Sequence, residues 1–551
     1  MSDRRRTRDE RTRSWPQVVR GAVTGLVAAV VALGVAELVA AVSSSFRSPV
    51  IDVGDRVVDA VPPSVKDLAI DWFGTNDKVA LLAGIAVVLA VIAALVGAIA
   101  TGTPRHRGHL WVGVVGISAF GVVGAASALT ARDERSPLAV LPSLVGAAAG
   151  AAALVVLVRA GARAGGHELR QDGSPDGTTA QETGDDGSPD PVGAGEGAPS
   201  RRAFLVIGAS LAAAGVAAAA TGRWLGARFS AAASRAAVVL PDALRPLAPV
   251  PAAVSVDVEG VTPFVTPNAD FYRIDTALQV PQVPIEDWRL RVGGMVRRPL
   301  ELSFRELTER DVVEADITLT CVSNEVGGGL LGSARWLGVR LDDLLEDAGV
   351  RRGADQVVGR SVDGYTCGFP VSALDGRDAL VAFGMNGEPL PLEHGFPARL
   401  IVPGLYGYVS ATKWLTEIEL TTFDRFDQYW VPRGWDAEAP IKTSSRIDTP
   451  RGLARIPAGT TAVAGVAWAQ TRGISAVEVR VDDGPWQRAE LAAELNDVTW
   501  RQWVHRWEAT PGQHSLTVRA IDGTGAIQTA ERSEPMPNGS SGLHQIVVLV
   551  D

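Results

Sequence analysis

Four uninterrupted apolar runs crowd the first 160 residues, at about 21–42, 79–100, 110–130 and 138–158. Each is close to the ~20 residues that a helix needs to cross ~30 Å of hydrocarbon. In lipid every backbone N–H and C=O must be satisfied inside the segment, so such runs are restricted to α-helix. They are rich in Ala, Gly and Val, which favours close helix–helix packing. The flanking charges set a direction. Arg4, Arg5 and Arg6 precede the first run, Arg105 and Arg107 join the second to the third, and Arg159, Arg163 and Arg170 follow the fourth. All three basic segments fall on one side of the membrane, and the positive-inside rule makes that side cytoplasmic. Glu37 sits inside the first run and reads as a carboxylate near its outer, wetter end.

Residues 161–199 are Gly, Ser, Asp, Pro and Thr with almost no large apolar side chain, the composition of a disordered cytoplasmic linker. The next stretch, 200–222, opens S-R-R-A-F-L and continues in Ala and Gly. Paired arginines before a mildly apolar stretch read as a twin-arginine export signal, or as an ordinary fifth span whose arginines obey the charge rule. Either reading places everything after about residue 225 outside.

The second half changes texture. Pro251, Pro263, Pro267, Pro281 and Pro284 punctuate an irregular lead-in. Residues 288–296 alternate as a strand, and Ser303 is placed to cap a short helix. The run 315–322, A-D-I-T-L-T-C-V, reads as a buried strand that delivers Cys321 at its end, before a glycine-rich turn. From about residue 441 the pattern is all-β, with alternating runs at 462–470, 476–484, 500–507 and 515–523, as in a β-sandwich of immunoglobulin type. Several of the 14 tryptophans fall there and serve packing.

The formal net charge of −10 argues against a nucleic-acid partner. Two cysteines, Cys321 and Cys367, exclude a disulfide framework but leave one bridge open. The seven histidines form no zinc-type cluster. His106 and His109, the only ones near the apolar runs, lie in a loop, so membrane haem is not expected.

Four stretches in order, T-P-N-A-D-F-Y-R at 266–273, T-L-T-C-V-S-N-E at 318–325, H-G-F-P-A-R-L-I-V-P-G-L-Y-G at 394–407 and K-W-L at 413–415, resemble the sulfite oxidase family of molybdopterin enzymes. The resemblance covers about residues 250–551. It implies an α+β fold: a sulfite-oxidase-type molybdopterin-binding domain at 245–440 and an immunoglobulin-like sandwich, often dimer-forming, at 441–551. A four-helix α-helical membrane domain at 1–160, the linker at 161–199 and the segment at 200–222 precede them. The resemblance makes Cys321 the thiolate ligand of molybdenum, a soft ligand for a metal that cycles by two electrons. On its own a buried Cys more often packs as a small hydrophobe, and Cys367 is read so. The resemblance further places Asn268, Phe271, Tyr272, Arg273, His394, Arg399, Ala411, Thr412 and Lys413 around the cofactor. Asp363 stands near the same site, and Tyr365 and Arg273 face the substrate. It also implies oxygen-atom transfer and an electron-transfer partner, a cytochrome or quinone-linked protein, at the outer face of the membrane. Sulfite-oxidising members have arginines just after the cysteine; here Glu325 stands there, a charge that would repel sulfite. A neutral substrate such as a sulfoxide is therefore expected, with a sulfite dehydrogenase as the alternative. A cofactor-free, membrane-tethered binding protein is the alternative of another class.

Overall fold

The computed structural model describes residues 15–43, 45–61, 72, 77–101, 108–132, 136–171 and 201–551. Arg4, Arg5, Arg6, Arg105 and Arg107, and residues 172–200 of the expected linker and export segment, lie outside these. The chain forms two compact units, Met1–Phe229 and Ser230–Asp551.

The first unit is helical: α1 (Trp15–Ala40), α2 (Pro49–Ala60), α3 (Asp77–Ala100), α4 (Gly108–Leu129), α5 (Leu141–Gln171) and α6 (Arg201–Gly226). Five helices among the described residues are long and apolar enough to cross a membrane. Two boundaries differ from expectation. α5 runs on to Gln171, into the stretch read as linker. α2 was not foreseen; it is short, and one face is polar. Asp59 of α2 forms an ion pair with Arg132, beyond the end of α4. Glu37 is half-buried and accepts a hydrogen bond from the Ser48 hydroxyl in the loop after α1.

Small residues let α1 sit at the centre of this unit. A Cβ added at Gly25 would lie 1.9 Å from the Ala93 carbonyl oxygen of α3, and one at Gly146 would lie 2.6 Å from that of Ala32. α6 is seated the same way: a Cβ at Gly34 would lie 2.0 Å from the Gly215 carbonyl oxygen, and one at Gly222 2.6 Å from that of Glu37. Arg228, just after α6, donates to the Ala41 carbonyl at 3.1 Å. The helix that begins with the paired arginines is thus a wall of the bundle.

The second unit is built of four sheets. β1 (Arg289–Gly294), β2 (Leu300–Ser303), β5 (Gln356–Ser361), β6 (Thr366–Pro370) and β10 (Leu415–Thr421) form one, in the order β2-β1-β10-β5-β6. β3 (Val312–Thr320), β4 (Leu331–Arg340), β7 (Leu380–Met385) and β8 (Glu388–Pro389) form another, with β9 (Arg399–Ile401) paired to β7. Ser303 caps the helix Phe304–Thr308 through a reciprocal box with Glu306. Beyond residue 443 two sheets face each other. One is β11 (Ser444–Thr449), β13 (Gly459–Trp468), β17 (Arg501–Ala509) and β16 (Glu490–Leu491). The other is β12 (Arg455–Ile456), β19 (His544–Val550), β18 (Gly512–Asp522), β14 (Ile474–Val481) and β15 (Gln487–Arg488). Val463, Trp503, Val477 and Val518 from both sheets close the core between them. This sandwich is not insulated from the residues before it. Trp468 and Trp500 belong to the same core as Val322, Leu405 and Val409, and the Trp500 indole N–H donates to the Phe264 carbonyl at 3.0 Å.

Because the α1–α6 contact is backbone against backbone, Gly34→Leu has no flexible side chain to displace. We expect it to lower the stability of the purified protein in detergent by about 1–3 kcal/mol, the usual cost of overpacking. Thermal unfolding of the two proteins side by side measures this.

Candidate active site

Cys321 follows directly on β3 and is 7% exposed. Its backbone is fixed at both ends: its N–H donates to the Leu330 carbonyl at 2.9 Å, and its carbonyl accepts from the Asn324 N–H at 3.1 Å. Burial pushes the thiol up, while the Ser323 backbone and hydroxyl and the Val322 backbone donate to the sulfur and oppose that shift. The strand end therefore presents a sulfur whose donors offset part of the cost of burying its thiolate, while the balance still favours the thiol.

Three further segments converge on Cys321. The β5–β6 hairpin turns at Ser361–Gly364, with Gly364 at φ +78°, and brings in Asp363 and Tyr365. The Asp363 carboxylate accepts from the Tyr365 N–H at 3.1 Å, and the Tyr365 hydroxyl donates to the Tyr408 carbonyl at 2.7 Å. The 3-10 turn Leu392–His394 ends on Gly395 at φ +111°, which reverses the chain into β9 and Arg399. The short helix Gly407–Ser410 leads through Ala411 and Lys413 into β10, and the Val362 N–H to Trp414 carbonyl bond (3.0 Å) ties it to the hairpin. The segment around Phe271 closes the remaining side. Phe271 stacks on Tyr272 at 5.3 Å and meets Trp336 and His394 edge-on at 5.7 and 5.6 Å.

Together these segments enclose a cavity of ≈ 120 Å³. Its charged groups are two buried cations, Arg399 and Lys413, and two carboxylates, Asp275 and Asp363. Arg399 donates to the carbonyls of His394 (3.2 Å) and Ala411 (3.4 Å) and lies over the Trp336 ring at 5.3 Å. Burial lowers it to about 10. Its Nε is buried without a hydrogen-bond partner among the described residues. Lys413 pairs with Asp275 at 2.9 Å and is lowered by burial to about 8. Burial and the nearby Arg399 push His394 down to about 4, so it is neutral at pH 7. Its Nε2 lies 3.2 Å from the Asn268 carbonyl and holds the proton there. Burial, with Cys321 alongside, raises Tyr272 and keeps its hydroxyl protonated.

Of the residues expected from sequence, Phe271, Tyr272, Cys321, Asp363, Tyr365, His394, Arg399, Ala411 and Lys413 line this cavity. Asn268, Arg273 and Thr412 do not. The Asn268 side chain spans the Met385 carbonyl and the Asn386 amide. Arg273 is turned to Asp275 at 2.9 Å, and Ile274 takes the lining position beside it. Thr412 points to the opposite side, donating to Cys367 Sγ at 2.7 Å. Cys367 is fully buried and raised to about 11, so it packs as an inert thiol. Sequence reading missed Asp275, Ile274, Tyr408 and Trp430, which also line the cavity. One inference from Glu325 is corrected: its exposed carboxylate lines a separate small pocket and does not face the cavity of Cys321.

The donor set suits a large anionic group: two buried cations, a neutral imidazole, and a guanidinium N–H lacking an acceptor, an omission worth about 1–3 kcal/mol when buried. The buried sulfur beside them suits a soft metal. Such a site defines a metal-cofactor oxidoreductase.

The comparisons agree. Residues 277–430 match the family model described as "Oxidoreductase molybdopterin binding domain". The uncharacterized oxidoreductase YuiH of Bacillus subtilis is 35% identical over 175 residues, 31% of this chain and 85% of that protein. The mitochondrial sulfite oxidase of Rattus norvegicus is 30% identical over 317 residues, 48% of this chain and 57% of the rat protein. The chain thus spans little more than half the length of the curated sulfite oxidases it matches. The solved sulfane dehydrogenase SoxCD of Paracoccus pantotrophus is 22% identical, with a TM-score of 0.47 over 54% of this chain and 85% of that one. The chain belongs to the sulfite oxidase family of molybdopterin-dependent oxidoreductases. Its cofactor is the molybdenum cofactor.

A lysine can hold a phosphate only as its ammonium, and Lys413, lowered to about 8, loses that charge as pH rises through that value. A lysine lowered from 10.5 is neutralised earlier in the folded state than in the unfolded one. The grip on an anion thus weakens as pH rises through about 8. We expect molybdenum content after gel filtration to fall between pH 7 and pH 9, and Lys413→Gln to remove that pH dependence while starting from a lower content.

Proposed function

We propose that this protein transfers an oxygen atom to or from a small neutral sulfur compound, such as a sulfoxide, at the outer face of the cytoplasmic membrane. When bound, the molybdenum cofactor supplies two-electron oxidation or reduction. Cys321 would hold the metal through its sulfur; the donors at Val322 and Ser323 offset part of the cost of the buried anion, and a bound metal would supply the rest. Arg399, Lys413 and neutral His394 hold the pterin and its phosphate. Tyr365 keeps its proton, because burial raises it well above its ordinary value, and donates it to the Tyr408 carbonyl, so toward a substrate its oxygen acts as an acceptor.

One observation carries the choice of a neutral substrate. The lining position next to Arg273 belongs to Ile274, half exposed at 50%, while Arg273 is held by Asp275. The guanidinium that would recognise an anion is committed elsewhere. Trp430 and Tyr408 add aromatic surface to the same cavity. A second reading, oxidation of sulfite, is favoured by the relatives named sulfite oxidase and by the position of Glu325 away from the cavity.

Five apolar helices support a membrane location, and the arginine distribution supports an extracytoplasmic catalytic unit reached by a twin-arginine-type route. Electrons then pass to or from a cytochrome or quinone-linked protein. The two-sheet sandwich is read as immunoglobulin-like and as the surface of a homodimer.

Steady-state turnover with a redox dye tests this reading. Methionine sulfoxide should support turnover and sulfite should not; the reverse would select the second reading. Cys321→Ser is expected to abolish turnover on either substrate, and near-normal turnover in that variant would remove the site assignment.

A further inference from the structure

The loop that carries Cys321 is held by the C-terminal sandwich. Asn324 is the hub: its N–H donates to the Cys321 carbonyl (3.1 Å), and its side-chain oxygen accepts from the Leu330 N–H (2.7 Å). Leu330 in turn accepts from the Cys321 N–H at 2.9 Å. The ring of bonds closes on Cys321, but it is short of an external anchor. The sandwich supplies two. The Ser540 hydroxyl donates to the Asn324 carbonyl at 2.6 Å, and both residues are buried. Arg446, 9% exposed, donates to the Gly328 carbonyl at 2.8 Å while Asp448 and Thr262 fix the rest of its guanidinium.

The contact leaves the loop little room to shift. Gly327 has φ +82°, and a Cβ there would lie 2.3 Å from the His544 ring, itself held by the Ile447 N–H at 3.0 Å. The space remaining between loop and sandwich is ≈ 10 Å³, about one water. Neither Ser540 nor Arg446 lines the cavity of Cys321.

We propose that Ser540 and Arg446 are positioning residues for the molybdenum-ligating sulfur, setting through Asn324 and Gly328 how squarely Val322 and Ser323 donate to it. Hydrogen bonds to a ligating thiolate draw electron density from the sulfur and so from the metal. Ser540 does not line the cavity of Cys321, so its effect would reach a bound metal only through the loop. The proposal rests on the reading of Cys321 as the ligand.

The test uses the full chain loaded with cofactor. Ser540→Ala and Arg446→Met should shift the Mo(V) electron paramagnetic resonance spectrum and the midpoint potential, with molybdenum content retained. Arg446→Lys should return the spectrum part of the way to wild type. In cofactor-free protein, amide exchange across residues 321–330 should quicken in Ser540→Ala. Arg519→Met, on the sandwich but away from the loop, should change none of these. A wild-type spectrum and potential in loaded Ser540→Ala would overturn the proposal, whether or not Arg446→Met folds. The underlying site fails separately if Cys321→Ser keeps the wild-type spectrum.

Discussion

A sulfur that must be anionic to bind a metal is costly to bury unless its surroundings compensate for lost water. Here part of that cost is offset by the chain that follows the sulfur. β3 ends one residue before Cys321, so the backbone is free to curl and aim the amides of Val322 and Ser323 back at it. That curl holds only because Leu330 and Asn324 take up the Cys321 N–H and C=O. The convergence of β5–β6, β9 and the segment before β10 is then a matter of surrounding this one fixed point with cations and aromatic rings. Removing the curl would leave the cations in place with nothing to serve.

The cations show the same economy of means. Arg399 belongs to a three-residue strand at the edge of β7, with Trp336 beneath its guanidinium. Strand pairing fixes its backbone, the indole limits its tilt, and two carbonyls occupy its terminal nitrogens. Its Nε–H is buried and has no hydrogen-bond partner among the described residues. Lys413 is held by a carboxylate instead, which lets a flexible side chain remain charged in a buried place.

Much of this was legible in the sequence where the signal is local. The apolar runs set the helices, five of them long and apolar enough to cross a membrane among the described residues. The strand before Cys321, the cap at Ser303 and the alternating runs of the sandwich were marked by short-range periodicity. Side-chain direction was harder. Ala411 and Lys413 face the cavity, while Thr412 between them faces Cys367, as a period of two demands near a strand. That alternation is readable in the sequence, whereas the family resemblance marks 411–413 as one block. Asp275 was not readable at all: its partner Lys413 is 138 residues away, and only the fold brings them together. Glu325 misled because nearness in sequence to Cys321 was taken as nearness in space, whereas the loop turns its side chain outward.

The seating of α6 on α1 has a consequence for the integrity of the polypeptide. Gly34 and Gly215 bring two backbones into direct contact, and Gly222 repeats the approach near Glu37. Everything from Arg201 onward is therefore moored by its own helix as well as by covalent continuity with the first five. A break anywhere between Gln171 and Arg201 would leave α6 seated on α1, with the larger fragment carrying Cys321 and its cavity.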